Sequence, residues 1–291
     1  MNGTKKIIDQ KFAVVGYAIA LCVSAVASAI IAGTVDMNSN LYIYLCYLIP
    51  QAGYITVFTV NYYRYGYKIN NLVEKENVRP LEYLFAIILA VGVLFFALLP
   101  NSYVQTLIVN LGSSSTTVVP VMEKWYDYLL CTLTICVLPS IGEELIFRKA
   151  FCDGLKDVAD YKTILLCALC FSLSHLNLAQ TVHQFFFGAI LGFVYVKTRN
   201  VTLTMIMHFI NNALALFLEK ITGAQFWTEL NVLIISCVVG FVLIVSGIIL
   251  FLKSGKKIDN KKSGKIEMIT IILIVVLVVA WGASVGMSFV K

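Results

Sequence analysis

The stretch "SIGEELIFRKAF", residues 140–151, sets two adjacent glutamates and an arginine near the end of a long apolar run. The surrounding composition decides what kind of run it is. With 59% hydrophobic and only 13% charged residues, and a mean hydropathy of +0.86, the 291-residue chain is too apolar for a soluble globular domain and reads as an integral membrane protein.

About 20 apolar residues carry a helix across a bilayer. Nine segments qualify as candidates: 12–33, 41–63, 82–100, 125–153, 161–177, 181–198, 201–219, 229–252 and 267–289. The expected fold is therefore an all-α, polytopic membrane helical bundle of eight or nine transmembrane helices. It forms a single integral membrane domain over 1–291, with no boundary, repeat or low-complexity segment inside it.

Basic residues supply an orientation. With the N-terminus in the cytosol, 19 of the 22 Lys and Arg residues fall on the cytosolic side, leaving Lys124, Lys220 and Lys291 outside. That satisfies the positive-inside rule, supports nine crossings and puts the C-terminus outside. The net charge of +6 then expresses topology. No basic patch interleaved with aromatics suggests a nucleic-acid partner, whereas the lysine-rich loop 253–266 suits anionic lipid headgroups.

Other features have plainer readings. The first apolar run is longer than a signal-peptide core and lacks a clear small-residue cleavage site, so it is read as a retained helix. The eight cysteines fall in or beside apolar helices, and Cys167 and Cys170, although spaced C-x-x-C, lack a thioredoxin-like setting. Gly188 and Gly192 form a G-x-x-x-G that favours close helix packing. The loop 101–123 is the longest outside, and a short interfacial helix is one reading of it.

Polar groups inside the membrane carry the functional signal. Glu143 and Glu144 are the acidic residues expected away from loops and helix ends, and His175, His183 and His208 lie within or beside helices. Such groups need a protein interior or a wet cavity, which fits either a functional site or a polar cluster locking helices together. Helical spacing lets Glu144 reach Arg148 four residues on. Glu143 points about 100° away, free of that counter-ion and suited to act as a general base. Pro139 should kink this helix, and Gly142 thins it so that a neighbouring helix or a substrate backbone can approach.

Depth supports convergence. At about 1.5 Å per residue, Glu143 lies about 16 Å from Gly154, His175 about 20 Å from Lys162, and His208 about 13 Å from Arg199. These residues can meet at one level, and Asn212 shares a helix face with His208. His183, beside Gln184, lies outside this pattern and reads as a pocket-wall or interfacial residue. Asn211 points to another face, while Phe171 and the run 185–187 read as packing surface. The tyrosines around 62–67 read as an aromatic belt.

The ordered motifs "EELIFR" (143–148), "FSLSH" (171–175) and "HFINN" (208–212) resemble the CPBP family, the CAAX-processing and bacteriocin-related intramembrane proteases also called Abi proteins. The similarity covers 125–219, about a third of the chain, as a catalytic core. It implies a glutamate-dependent peptidase whose site opens toward the cytosol. In that scheme Glu143 activates a water positioned by His175, and His208 and Asn212 stabilise the oxyanion. Glu144 and Arg148 support these groups.

No obligatory cofactor is expected. The alternative is a zinc enzyme with Glu143, His175 and His208 as ligands, although H-E-x-x-H is absent and no further carboxylate stands ready to orient the histidines. The resemblance also permits a non-catalytic role in bacteriocin immunity or partner scaffolding. A transporter should show repeated halves with broken helices, which are not found. The implied partner is a peptide or membrane-protein substrate, with lipidated substrates such as prenylated C-a-a-X proteins second. The Lys-, Asn- and Ile-rich composition suits a bacterial plasma membrane.

Overall fold

The computed structural model describes residues 8–67, 78–114, 118–222, 224–254 and 258–290. Among these, nine helices and no β-strand are present: α1 Gln10–Thr34, α2 Asn40–Arg64, α3 Pro80–Asn110, α4 Trp125–Cys152, α5 Asp160–Leu173, α6 Leu178–Thr198, α7 Val201–Thr222, α8 Leu230–Lys253 and α9 Met268–Met287. Eight are long and apolar enough to cross a membrane, so the all-α bundle expected from composition is the fold. Of the basic residues that set the sequence-based orientation, Lys5, Lys6, Lys68, Lys75, Lys256, Lys257 and Lys291 lie outside the described residues.

The exception is α5. Its 14 residues span roughly 21 Å, less than the ~30 Å hydrocarbon core. The expected segment 161–177 therefore ends early, because "SHLN" at 174–177 supplies polar groups that turn the chain. Ser174 caps α5, Leu176 takes a left-handed backbone at φ 50°, and the Asn177 side chain caps α6 by accepting from Ala179 N at 2.9 Å. The α5–α6 hairpin then closes tightly: a Cβ at Gly188 would lie 3.0 Å from the Phe171 ring and 3.2 Å from Ala168 Cα, as the G-x-x-x-G spacing anticipates.

A second difference concerns α3. Expected to stop near Pro100, it continues to Asn110, so the first half of the loop 101–123 is an extension of α3 and not a separate helix. Proline removes one ladder hydrogen bond, which a packed membrane helix tolerates. At 31 residues, or roughly 46 Å, α3 is long enough to project beyond the hydrocarbon.

Contacts between loops sort the helix ends onto two faces. On the first face, the Gln10 side chain binds the Lys265 and Glu267 backbone, Arg79 reaches Ser254 O, and Asp160 pairs with Lys262 at 2.7 Å. Asp153 there binds Lys149, Arg199 and the Tyr195 hydroxyl. On the second face, Asn40 pairs with the Val121 backbone, Ser114 N donates to Ser288 O, and Ser284 Oγ donates to Leu176 O. Each helix runs between the faces, α5 falling short, so residues 10 and 288 lie on opposite sides. Among described Lys and Arg residues at helix ends, only Lys124 and Lys220 belong to the second face.

The buried core lies toward the first face. Tyr17 of α1, Phe147 and Phe151 of α4 and Phe171 of α5 pack edge-on with centroids 5.2–5.8 Å apart, and all four are at most 2% exposed. Such pairs add roughly 0.5–1.5 kcal/mol each beyond their burial. This aromatic layer forms one wall of the site.

Candidate active site

Helix α4 is not a uniform α-helix. Two π-helical segments, Thr132–Val137 and Leu145–Cys152, flank seven α-helical residues, Leu138–Glu144, that carry Pro139, Gly142, Glu143 and Glu144. Proline dictates the first irregularity. In an α-helix the Ile135 carbonyl would accept from residue 139, which has no N–H. Leu138 N bonds back to Leu133 O in the wider π register, and Ile135 O is taken instead by Asn212 Nδ2 of α7 at 3.0 Å. The missing donor of Pro139 thus becomes an anchor for an asparagine of another helix. Interrupted helical ladders of this kind are frequent at functional sites.

Gly142 brings α2 against this segment. A Cβ there would lie 2.6 Å from Gln51 Oε1 and 3.3 Å from Gln51 O, so only glycine admits the approach. The approach delivers Gln51 to Glu143: its Nε2 donates to Glu143 Oε1 at 2.8 Å. Because an ionised carboxylate only accepts, the amide nitrogen must be the atom that faces it. The role foreseen for Gly142 is fulfilled by a neighbouring helix, whereas Gln51, standing next to Pro50 in the apolar α2, was missed. Its signal was an amide at the middle of a membrane span.

The two glutamates divide as their spacing suggested. Glu144 is fully buried, with Oε2 3.1 Å from Arg148 Nε and Oε1 3.0 Å from His208 Nδ1. Arg148, also 0% exposed, lies with its guanidinium carbon 5.0 Å from the Phe171 ring centre, a favourable place for a desolvated cation. Glu143 is 8% exposed and borders the cavity, with its Oε2 3.8 Å from His208 Nε2. One imidazole therefore spans both carboxylates. Nδ1–H donates to Glu144, which leaves Nε2 on the side of Glu143 and the cavity.

His175 is oriented by its own helix. Its Nδ1 lies 2.8 Å from Phe171 O, and since a carbonyl can only accept, Nδ1 carries the proton and Nε2 is left as an acceptor. Phe171 holds both histidines, with ring centres 5.0 Å from His175 and 6.0 Å from His208. Asn211 donates to Ala90 O at 3.1 Å and ties α7 to α3, the packing task expected of it. His183 stacks on Phe187.

Glu143, His175, His208 and Asn212 line one cavity of about 380 Å³ together with Gln51, Tyr54, Pro139 and Gln184. Gln184 Oε1 is buried there without a hydrogen-bond partner among the described residues. The lining runs from mid-bundle toward the second face: Cys46 and Tyr47 of α2, Val119, the 174–177 turn, and Ala215 and Leu216 of α7 form the outer part. The aromatic layer and the Glu144–Arg148 pair close the opposite end. Among the described residues, no three His, Cys, Asp or Glu side chains are gathered to hold a metal ion. Nδ1 of each histidine is bonded away from the cavity, His175 to Phe171 O and His208 to Glu144 Oε1, so Glu144 is a carboxylate that orients a histidine, where the sequence had suggested none.

All four expected cavity residues and both supporting ones thus stand together, on α4, α7 and the α5–α6 turn. A search of curated proteins and one of solved structures each found no match. Residues 125–214 match the family model described as type II CAAX prenyl endopeptidase Rce1-like, which coincides with α4 to α7 and with nearly the whole of the expected core. Over this segment, about a third of the chain, the protein is similar to that family, the CPBP or CAAX-protease family.

Proposed function

We propose that the protein is an intramembrane endopeptidase that hydrolyses a peptide bond with a water activated by Glu143. The observation that carries this reading is the asymmetry of the glutamate pair. Glu144 is committed to Arg148 and His208, whereas Glu143 borders the cavity, held among the described residues by the neutral amide of Gln51 and facing the His208 ring. A carboxylate so placed can accept a proton and return it.

In the proposed reaction, Glu143 removes a proton from water while His175 Nε2 accepts the other water hydrogen and aims the oxygen. The oxygen forms a bond to the scissile carbonyl carbon, and the carbonyl electron pair moves to its oxygen. That oxyanion accepts from the second hydrogen of Asn212 Nδ2 and from Nε2–H of His208, which in this scheme carries a proton on both ring nitrogens throughout the cycle and keeps Nδ1–H on Glu144; donors of this kind contribute about 2.7–4 kcal/mol each. As the tetrahedral centre collapses, the C–N bond breaks and Glu143 passes its proton to the leaving nitrogen. The buried Gln184 Oε1 offers an acceptor for a substrate backbone N–H. Zinc is given no step, because Glu143 taken up as a ligand would not be free to serve as the general base.

The substrate is a peptide or a membrane-protein segment. The test is cleavage of a panel of lipidated and unlipidated fluorogenic peptides by the purified full chain in liposomes, comparing wild type with Glu143→Ala, each with and without a strong chelator. Chelator-resistant cleavage that the substitution abolishes supports the reading. Cleavage that survives the substitution, or that a chelator stops and zinc restores, refutes it.

A further inference from the structure

The cavity and the positive charge lie at opposite ends of the bundle. Every outer lining residue belongs to the second-face half of its element: Cys46 and Tyr47 stand within two turns of the start of α2, Ala215 and Leu216 within two turns of the end of α7, and Asn177 and Gln180 at the α5–α6 turn. Val119 lies in the loop that joins Asn40 on that face. Toward the first face the way is shut by Tyr17, Phe147, Arg148, Phe151 and Tyr195, none more than 2% exposed. Behind them lies the Asp153, Lys149 and Arg199 cluster.

The first face carries the basic helix ends, including Arg79, Lys156, Lys162, Lys253 and the lysines from 261 to 265. The positive-inside rule places such a face in the cytosol. A peptide reaching Glu143 by the open end would then come from the other side. This departs from the cytosolic opening that the family resemblance implies, and it bears on substrate class. A prenylated cytosolic C-terminus would have to pass the sealed aromatic layer.

We infer that the substrate is presented from the extracytoplasmic side, as a segment of an exported or membrane-inserted polypeptide, and enters between α2, α7 and the α5–α6 turn. The polar groups along this route, including the 174–177 turn and Gln180, suit an extended peptide backbone. The inference rests on the peptidase reading for its chemistry but not for its geometry.

The experiment labels the full chain with a charged, membrane-impermeant maleimide in right-side-out and inside-out vesicles. Cys46, exposed at the mouth, is the native reporter, with Cys46→Ser as its control and Lys261→Cys reporting the first face. The expected result is labelling of right-side-out vesicles that is lost in Cys46→Ser, with Lys261→Cys labelled only in inside-out vesicles. Gln180→Cys provides a second mouth position should the Cys46 thiol react too slowly. Labelling of the mouth positions from the Lys261 side, or of neither position from the outside, overturns the inference. Labelling needs no catalysis, so a chain that labels as expected but cleaves no peptide refutes the peptidase reading alone. Cleavage of an impermeant peptide by inside-out vesicles only refutes the direction of entry alone.

Discussion

Gln51 and Glu143, 92 positions apart in the chain, are joined by a 2.8 Å hydrogen bond inside the bundle. The bond exists because Gly142 has no side chain to keep α2 away. Replacing Gln51 with Leu removes the donor that fixes the carboxylate, and the expected outcome is a fall in kcat of about tenfold to a hundredfold with a smaller change in KM. Gly142→Ala should reproduce that loss while leaving Gln51 in place. A thermal midpoint and a monodisperse elution profile unchanged from wild type separate these from a folding defect, which would lower the active fraction and so the apparent kcat as well.

Pro139 and Asn212 should be coupled through Ile135 O. Pro139→Ala restores a backbone donor, which competes for that carbonyl and loosens Asn212. The double variant Pro139→Ala with Asn212→Ala should then lose less activity than the product of the two single losses. Strict multiplicativity would show that the asparagine acts without its anchor.

Arg148 is a fully buried cation whose partner is Glu144. Arg148→Met leaves the carboxylate uncompensated at a cost of about 3–5 kcal/mol, seen as a lower thermal midpoint in detergent. Glu144→Gln combined with Arg148→Met should recover much of that midpoint, because no lone charge is left buried. It should not recover cleavage, since His208 loses the carboxylate that orients its Nδ1.

The turn that carries His175 is strapped by α9. Ser284 Oγ donates to Leu176 O at 2.6 Å, and Trp281 Nε1 donates to Thr181 Oγ1 at 2.9 Å. Leu176 sits in the left-handed region, a costly backbone state for leucine that neighbouring contacts must hold. Ser284→Ala with Trp281→Phe should lower kcat while leaving the cavity residues intact, and Leu176→Gly should tolerate that pair of changes better than the wild-type turn does.

How much of this was legible in the sequence depends on distance along the chain. The Glu144–Arg148 pair is a matter of helical spacing, and it appears at 3.1 Å. The common depth of Glu143, His175 and His208 followed from counting residues to charged helix ends, and the three do share a cavity. Gln51 was invisible because nothing local to it marks a partner 92 residues away; that contact is a tertiary consequence of Gly142. The π-helical register of α4 was hidden too, since Pro139 announces a broken hydrogen bond but not which side chain will claim the freed carbonyl. The early end of α5 and the passage of α3 through Pro100 went the other way: apolar content sets where a span can lie, while caps and packing decide where the helix stops.

Glu143→Gln isolates proton transfer by Glu143 from its other properties, because the amide keeps the size of the side chain and its place beside Gln51. The measurement is the cleavage rate of one peptide substrate by wild type and by this variant, with the thermal midpoint recorded in the same preparations. If Glu143 transfers the proton, the midpoint is unchanged and the rate falls by about three orders of magnitude or more, the combined loss of base and acid. A folded Glu143→Gln protein that cleaves at a rate near wild type would contradict that role.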